Sequence, residues 1–151
     1  MDRISLAIDG SDIVANSGTT ILEAALHNGI YIPHLCYHPD LTPSGACRLC
    51  WVEGGDGQLM LSGRTLAERG MVVKTSSREV DKVRRPIVEL LIANHHTDCR
   101  GCASSGRCQL QRIMAHLGID RKRVPRLRPP KEELTRDGVM APRSPPSGAS
   151  L

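Results

Sequence analysis

At 151 residues the chain can hold one domain of ordinary size or a small domain with appendages, and no apolar run is long enough to span a bilayer. Residues 1–118 carry 12 Lys/Arg against 12 Asp/Glu, while 119–151 carry 8 against 4, so the net charge of +4 lies in the tail; this argues against a nucleic-acid-binding body and leaves the tail to meet an acidic partner. With no Phe, one Trp and two Tyr, the core must be aliphatic and no platform for stacking bases is available.

Met1-Asp2-Arg3 lacks the positive and apolar regions of a secretory signal, so the six cysteines read as cytoplasmic thiols. There, clustered cysteines bind metal or do redox chemistry more often than they form disulfides. Ile4, Leu6 and Ile8 alternate, Asp9-Gly10-Ser11-Asp12 is a turn, and Ile13-Val14-Ala15 follows, which predicts two strands within 3–15. Thr19 or Thr20 can cap the helix predicted for Ile21–Leu26, which Gly29 ends. Strand, strand, helix is how a β-grasp domain begins. Residues 30–50 read as a loop with Pro33, Pro39 and Pro43. Gly54-Gly55-Asp56-Gly57 separates Cys50–Glu53 from Leu59–Leu61 and predicts a hairpin, with Met71-Val72-Val73 as the next strand.

Residues 76–118 read as helical. Ser76 and Glu79 have capping-box spacing, and Val80, Val83, Ile87, Leu90 and Leu91 form an apolar stripe. Pro86 should kink or split this helix. Leu110, Ile113, Met114 and Leu117 predict a shorter helix stopped by Gly118. Six of the ten prolines fall in 125–146 without apolar periodicity, so 119–151 reads as a disordered basic tail.

Two groups of residues carry the chemistry. The second reads His95-x3-Cys99-x2-Cys102-x5-Cys108, on a loop between two helices. Three thiols and an imidazole within fourteen residues suit either zinc or an iron–sulfur cluster. His96 competes with His95 as the nitrogen ligand, and His116 reads as a helix-surface residue. Gly101 and Gly106 allow close backbone approach, and Arg100 and Arg107 could offset a cluster's negative charge. The first group reads Cys36-x10-Cys47-x2-Cys50, with Gly45 and Ala46 small enough for a tight loop. Three thiols are one short of a [2Fe–2S] set. His34 and His38 flank Cys36 as further candidates.

Ile32-Pro33-His34-Leu35-Cys36-Tyr37-His38-Pro39, Gly45-Ala46-Cys47-Arg48-Leu49-Cys50 and Gly70-Met71-Val72-Val73 resemble the ferredoxin-like domain of a known family. It comprises the large iron–sulfur subunit of NADH:quinone oxidoreductase and the related subunits of NAD(P)-linked hydrogenases and formate dehydrogenases. The run Asn94-His95 through Cys108-Gln109-Leu110-Gln111 resembles that family's [4Fe–4S] motif of one histidine and three cysteines. The resemblance implies an α+β chain: a [2Fe–2S] β-grasp domain over 1–77, then a small helical [4Fe–4S] domain over 78–118. It also favours His95 over His96 and iron–sulfur over zinc. The expected function is electron transfer within an oxidoreductase complex, beside a flavin/NAD(P)-binding subunit and a hydrogenase- or dehydrogenase-type subunit. No nucleotide-binding glycine fingerprint or nucleophile–base pair points to substrate chemistry on this chain. The rival is a non-redox scaffold or zinc-binding adaptor that keeps the fold.

There are two departures from the family pattern. Its fourth [2Fe–2S] cysteine, seven residues before Gly70, is Gly63 here. The first centre is therefore expected to be lost or labile, or completed by Ser62, a nearby histidine, water or a partner's residue. Secondly, no further cysteine-rich clusters follow Cys108.

Overall fold

The computed structural model describes residues 2–42, 44–95 and 99–127. The expected disorder of 128–151 and the alternative ligand His96 lie outside them.

The first half forms a five-stranded mixed sheet crossed by one helix. Strands β1 (Arg3–Ile8), β2 (Ser11–Asn16), β3 (Trp51–Gly54), β4 (Leu59–Leu61) and β5 (Val72–Lys74) run in the order β2-β1-β5-β3-β4. The central β1–β5 pair is parallel, while β1–β2, β3–β4 and β3–β5 are antiparallel. Ile4, Leu6 and Ile8 of β1 point inward against Ile21, Leu22, Ala24 and Ala25 of helix α1 (Ile21–His27). Thr20 caps α1: its hydroxyl accepts from the Glu23 amide, and Glu23 accepts from the Thr20 amide in return.

Helix α2 (Arg78–Asn94) corrects the sequence reading in three places. Its cap is Ser77, whose hydroxyl accepts from the Val80 amide, rather than Ser76. Of the kink or split expected at Pro86, the split does not occur, since the helix runs unbroken to Asn94. The buried line is Val80, Arg84, Val88 and Ile92, each four residues on, whereas Leu90 is 58% and Leu91 37% exposed. The apolar stripe read from sequence is thus rotated, because a buried arginine interrupts the true inward line.

Helix α3 (Gln109–His116) packs Ile113 with Val88, Ile92, Leu49 and Ile119 in a second core. The chain beyond Gly118 is not a free tail at its start. Ile119 is buried, Val124 packs on the same core, and the Leu127 amide donates to the Ala93 carbonyl at 2.9 Å. Tyr31, from the first half, meets α3 through the Arg112 guanidinium 4.0 Å above its ring and the edge of His116.

Arg84 joins the two cores. It is fully buried, with Nε donating to the Leu49 carbonyl at 3.0 Å and Nη2 to the Thr75 carbonyl at 3.1 Å and to the Trp51 carbonyl. Burial lowers its pKa from the ordinary arginine value, and the charges of Asp81, Cys50 and Tyr31 partly oppose this. A hydrogen bond to a charged donor contributes about 1.5–3 kcal/mol, and an orphaned buried carbonyl costs about 1–3 kcal/mol. Arg84→Met should therefore lower unfolding free energy by roughly 3 kcal/mol or more. Arg84→Lys should recover only part, because an ammonium cannot reproduce the planar fork. Urea unfolding of the three proteins checks this.

Candidate metal centres

The first group of cysteines lies on the loop between α1 and β3. Cys36 and Cys47 are half-buried, and Cys50 is 4% exposed at the entry to β3. Arg48 takes a left-handed conformation, φ 54°, between Cys47 and Leu49. Leu49 then enters the second core while Cys50 enters the first. The loop is tight enough that a Cβ on Gly45 would stand 2.8 Å from Arg64 Cδ, so only glycine lets the Arg64 side chain lie across it.

Cys36 and Cys47 lie close enough to shift each other's pKa. Burial raises the Cys36 pKa, but hydrogen bonds from the Cys47 amide and thiol, from Ser44 and from the Gly45 amide outweigh it, leaving a net lowering. For Cys47 burial dominates. Amides of Leu49, Leu35 and Cys36 offset part of it, the Cys36 thiol adds to it, and the net is upward.

Gly63 lies beside Cys50. A Cβ built on it would sit 3.3 Å from Cys50 Sγ and 3.3 Å from Leu22 Cδ2. Ser62 is fully buried and its hydroxyl donates to the Cys50 carbonyl at 2.8 Å, which commits it to the backbone. His34 lends Nδ1 to the Ile32 carbonyl at 2.7 Å, and His38 is solvent-facing near Asp40. The residues present do not complete a four-thiolate [2Fe–2S] set.

The second group spans the α2–α3 connection. His95 is the C-cap of α2 and exposed; Cys99 is half-buried, Cys102 exposed, and Cys108 is the N-cap residue of α3. Among the described residues no three of these side chains converge on a point. A cleft of about 760 Å³ opens beside Cys99, with Arg100, Arg121, Lys122 and Arg126 in its lining. Arg121 Nη1 lies 2.6 Å from Cys99 Sγ as a hydrogen-bond donor. Three thiols, an imidazole and a basic wall fit an anionic cluster by donor type and charge. The sequence reading considered Arg100 and Arg107 for this charge and missed Arg121, which lies in the short 3₁₀ turn Arg121–Arg123 beyond the expected domain end. Arg107 instead donates to the Ala103 carbonyl.

Residues 1–78 match the family described as "2Fe-2S iron-sulfur cluster binding domain", and residues 84–123 match the "NADH-ubiquinone oxidoreductase-G iron-sulfur binding region". The chain belongs to this iron–sulfur family. Over 116 residues it is 42% identical to the NADPH-Fe(3+) oxidoreductase alpha subunit of Geobacter sulfurreducens, covering 76% of this chain and 14% of that one. It is 43% identical over 119 residues to the NADH-quinone oxidoreductase G-type subunit of Streptomyces coelicolor, with the same two shares. Among solved structures, an NAD+-reducing [NiFe]-hydrogenase chain is 37% identical with a TM-score of 0.73, covering 83% of this chain and 53% of that one. The chain thus spans about one seventh of the length of these curated relatives. The expected order, a 2Fe–2S domain followed by a 4Fe–4S region, is the order of the two family matches. No helix among the described residues is long and apolar enough to cross a membrane.

The two thiols of the first group should differ in reactivity. In metal-free protein near neutral pH, Cys36 holds more thiolate than Cys47 and should be alkylated first by iodoacetamide. Timed quenching with peptide mass spectrometry reads the order, and preferential labelling of Cys47 would contradict it.

Proposed function

We propose that the chain is an electron-transfer subunit of a multi-subunit oxidoreductase, with a [4Fe–4S] cluster held by His95, Cys99, Cys102 and Cys108. The observation that carries the reading is the succession of two iron–sulfur regions on one chain, braced against a shared core at Leu49. When bound, the cluster supplies one-electron chemistry. The protein's part is to place the ligands and balance charge. The ends of α2 and α3 clamp the loop, and Arg121 faces Cys99. Cys108 also stands at the positive end of α3, which favours an anionic ligand there.

Substrate oxidation would belong to partners: a flavin/NAD(P)-binding subunit on one side and a hydrogenase- or dehydrogenase-type subunit on the other, in the reducing cytoplasm. The names of the relatives, subunits of NADH-quinone and NADPH-Fe(3+) oxidoreductases, favour that setting.

Anaerobically purified protein should contain iron and acid-labile sulfide and give a fast-relaxing cubane EPR signal on reduction. Cys99→Ala should lose that signal and the electron flux through the assembled complex. Zinc without sulfide would refute the cluster. If the Cys99→Ala complex assembles and passes electrons at the parent rate, the scaffold reading replaces this one.

A further inference from the structure

A cavity of about 420 Å³ opens where the loop after α1 meets α3. No cysteine lines it, and it is separate from the cleft beside Cys99. Its wall brings together both tyrosines of the chain, Tyr31 and Tyr37, with His34, His38 and Arg112. The chain has no Phe and one Trp, so two of its three large aromatic rings stand at this one cavity. We propose that the cavity binds a small aromatic carboxylate, with the carboxylate on the Arg112 guanidinium and the ring against the His34 and Tyr37 rings. The proposal is independent of the electron-transfer reading, because no cluster takes part in it.

Charge selects the anion. Among the described residues that line the cavity, Arg112 alone is permanently charged and no carboxylate occurs. Asp40 lies outside the lining, 3.6 Å from His38 Nδ1. Arg112 forms no ion pair among the described residues. Its guanidinium carbon lies 4.0 Å from the centre of the Tyr31 ring. That contact covers one face of the guanidinium and leaves the N–H groups in its plane free to take a carboxylate as a fork. Tyr31 is braced in turn by the edge of His116, 5.2 Å away between ring centres.

The rings select the other end of the guest. Tyr31, His34 and Tyr37 meet in series, with centres 6.2 Å and then 5.7 Å apart, the second pair T-shaped at 85°. An aromatic guest can extend this edge-to-face series, which a saturated ring cannot. Burial is the first cause of a raised pKa at both tyrosines, so neither phenol becomes an anion that would oppose the guest. The volume is within the range of small-molecule sites and gives room for two fused rings.

Three probes of matched shape separate the two requirements: 2-naphthoate, the neutral 2-naphthamide and the saturated decahydro-2-naphthoate. Each is titrated into the full chain by isothermal calorimetry at fixed ionic strength. 2-Naphthoate should bind with a Kd of about 1 mM or tighter, as its size allows. The amide should bind about tenfold more weakly or worse, because a charge-assisted pair is lost. The saturated acid should bind several-fold more weakly. Arg112→Gln should abolish the advantage of 2-naphthoate over the amide. Tyr37→Leu should abolish its advantage over the saturated acid and keep that over the amide. Arg126→Gln, in the cleft beside Cys99, should leave 2-naphthoate binding as it was.

Equal binding of 2-naphthoate and its amide by the native chain would overturn the proposal, and that comparison needs no variant. So would equal binding of the aromatic and saturated acids, or no binding of any probe. Loss of 2-naphthoate binding in Arg126→Gln with Arg112→Gln unaffected would move the acid to the other cleft and also overturn it. Iron and sulfide measured on the same samples bear on the electron-transfer reading alone.

Discussion

One buried guanidinium organises the molecule. Arg84 lies in the middle of α2 and donates to carbonyls from three places: Leu49 in the cysteine loop, Trp51 at the start of β3, and Thr75 just after β5. Leu49 and Thr75 lie outside the strands and Trp51 is the first residue of β3, so Arg84 serves carbonyls at or beyond the ends of the sheet's hydrogen-bond ladder. The cost of burying the charge is offset by these bonds, which tie the helical half to the sheet half. A leucine in its place would fill the volume and leave three carbonyls unsatisfied.

The cysteine loop depends on this anchor because it serves both cores. Leu49 packs among Val88, Ile92 and Ile113, while Cys50, the next residue, packs with the sheet and α1. The left-handed turn at Arg48 makes the reversal possible, and the Arg84 bond to the Leu49 carbonyl holds it. The thiols of one loop consequently have different surroundings. Cys36 is surrounded by donors, Cys47 is dominated by burial, and Cys50 faces an empty glycine position. The second loop is held more simply, between the end of α2 and the start of α3, and receives its basic wall from the segment after Gly118.

Elements with a strong local signal were legible in the sequence. The alternation in β1, the turn at Gly54–Gly57 and the Thr20–Glu23 spacing before α1 each encode their structure within a few residues. The first turn of α2 offered two adjacent serines, and local spacing chose the wrong one. The inward face of α2 was misread for a deeper reason. Arginine counts as a surface residue in any hydropathy pattern, so Val80, Val88 and Ile92 did not look like one line. The only trace was their spacing of four or eight residues around position 84. The packing of Ile119 and Val124 was equally hidden, because two isolated apolar residues among basic ones carry no period.

The inventory of candidate ligands, its order along the chain and the absence of a cysteine at position 63 were determined by the sequence alone, since they are matters of residue identity and spacing. The tertiary structure decided what that absence means. Only the fold places Gly63 against Cys50 Sγ, removes Ser62 as a substitute by bonding it to a carbonyl, and closes Leu22 over the gap. It also brought Arg121 to Cys99 across twenty-two residues. Such relations join segments distant in the chain, and they arise when buried polar groups must find partners, a requirement no local pattern records.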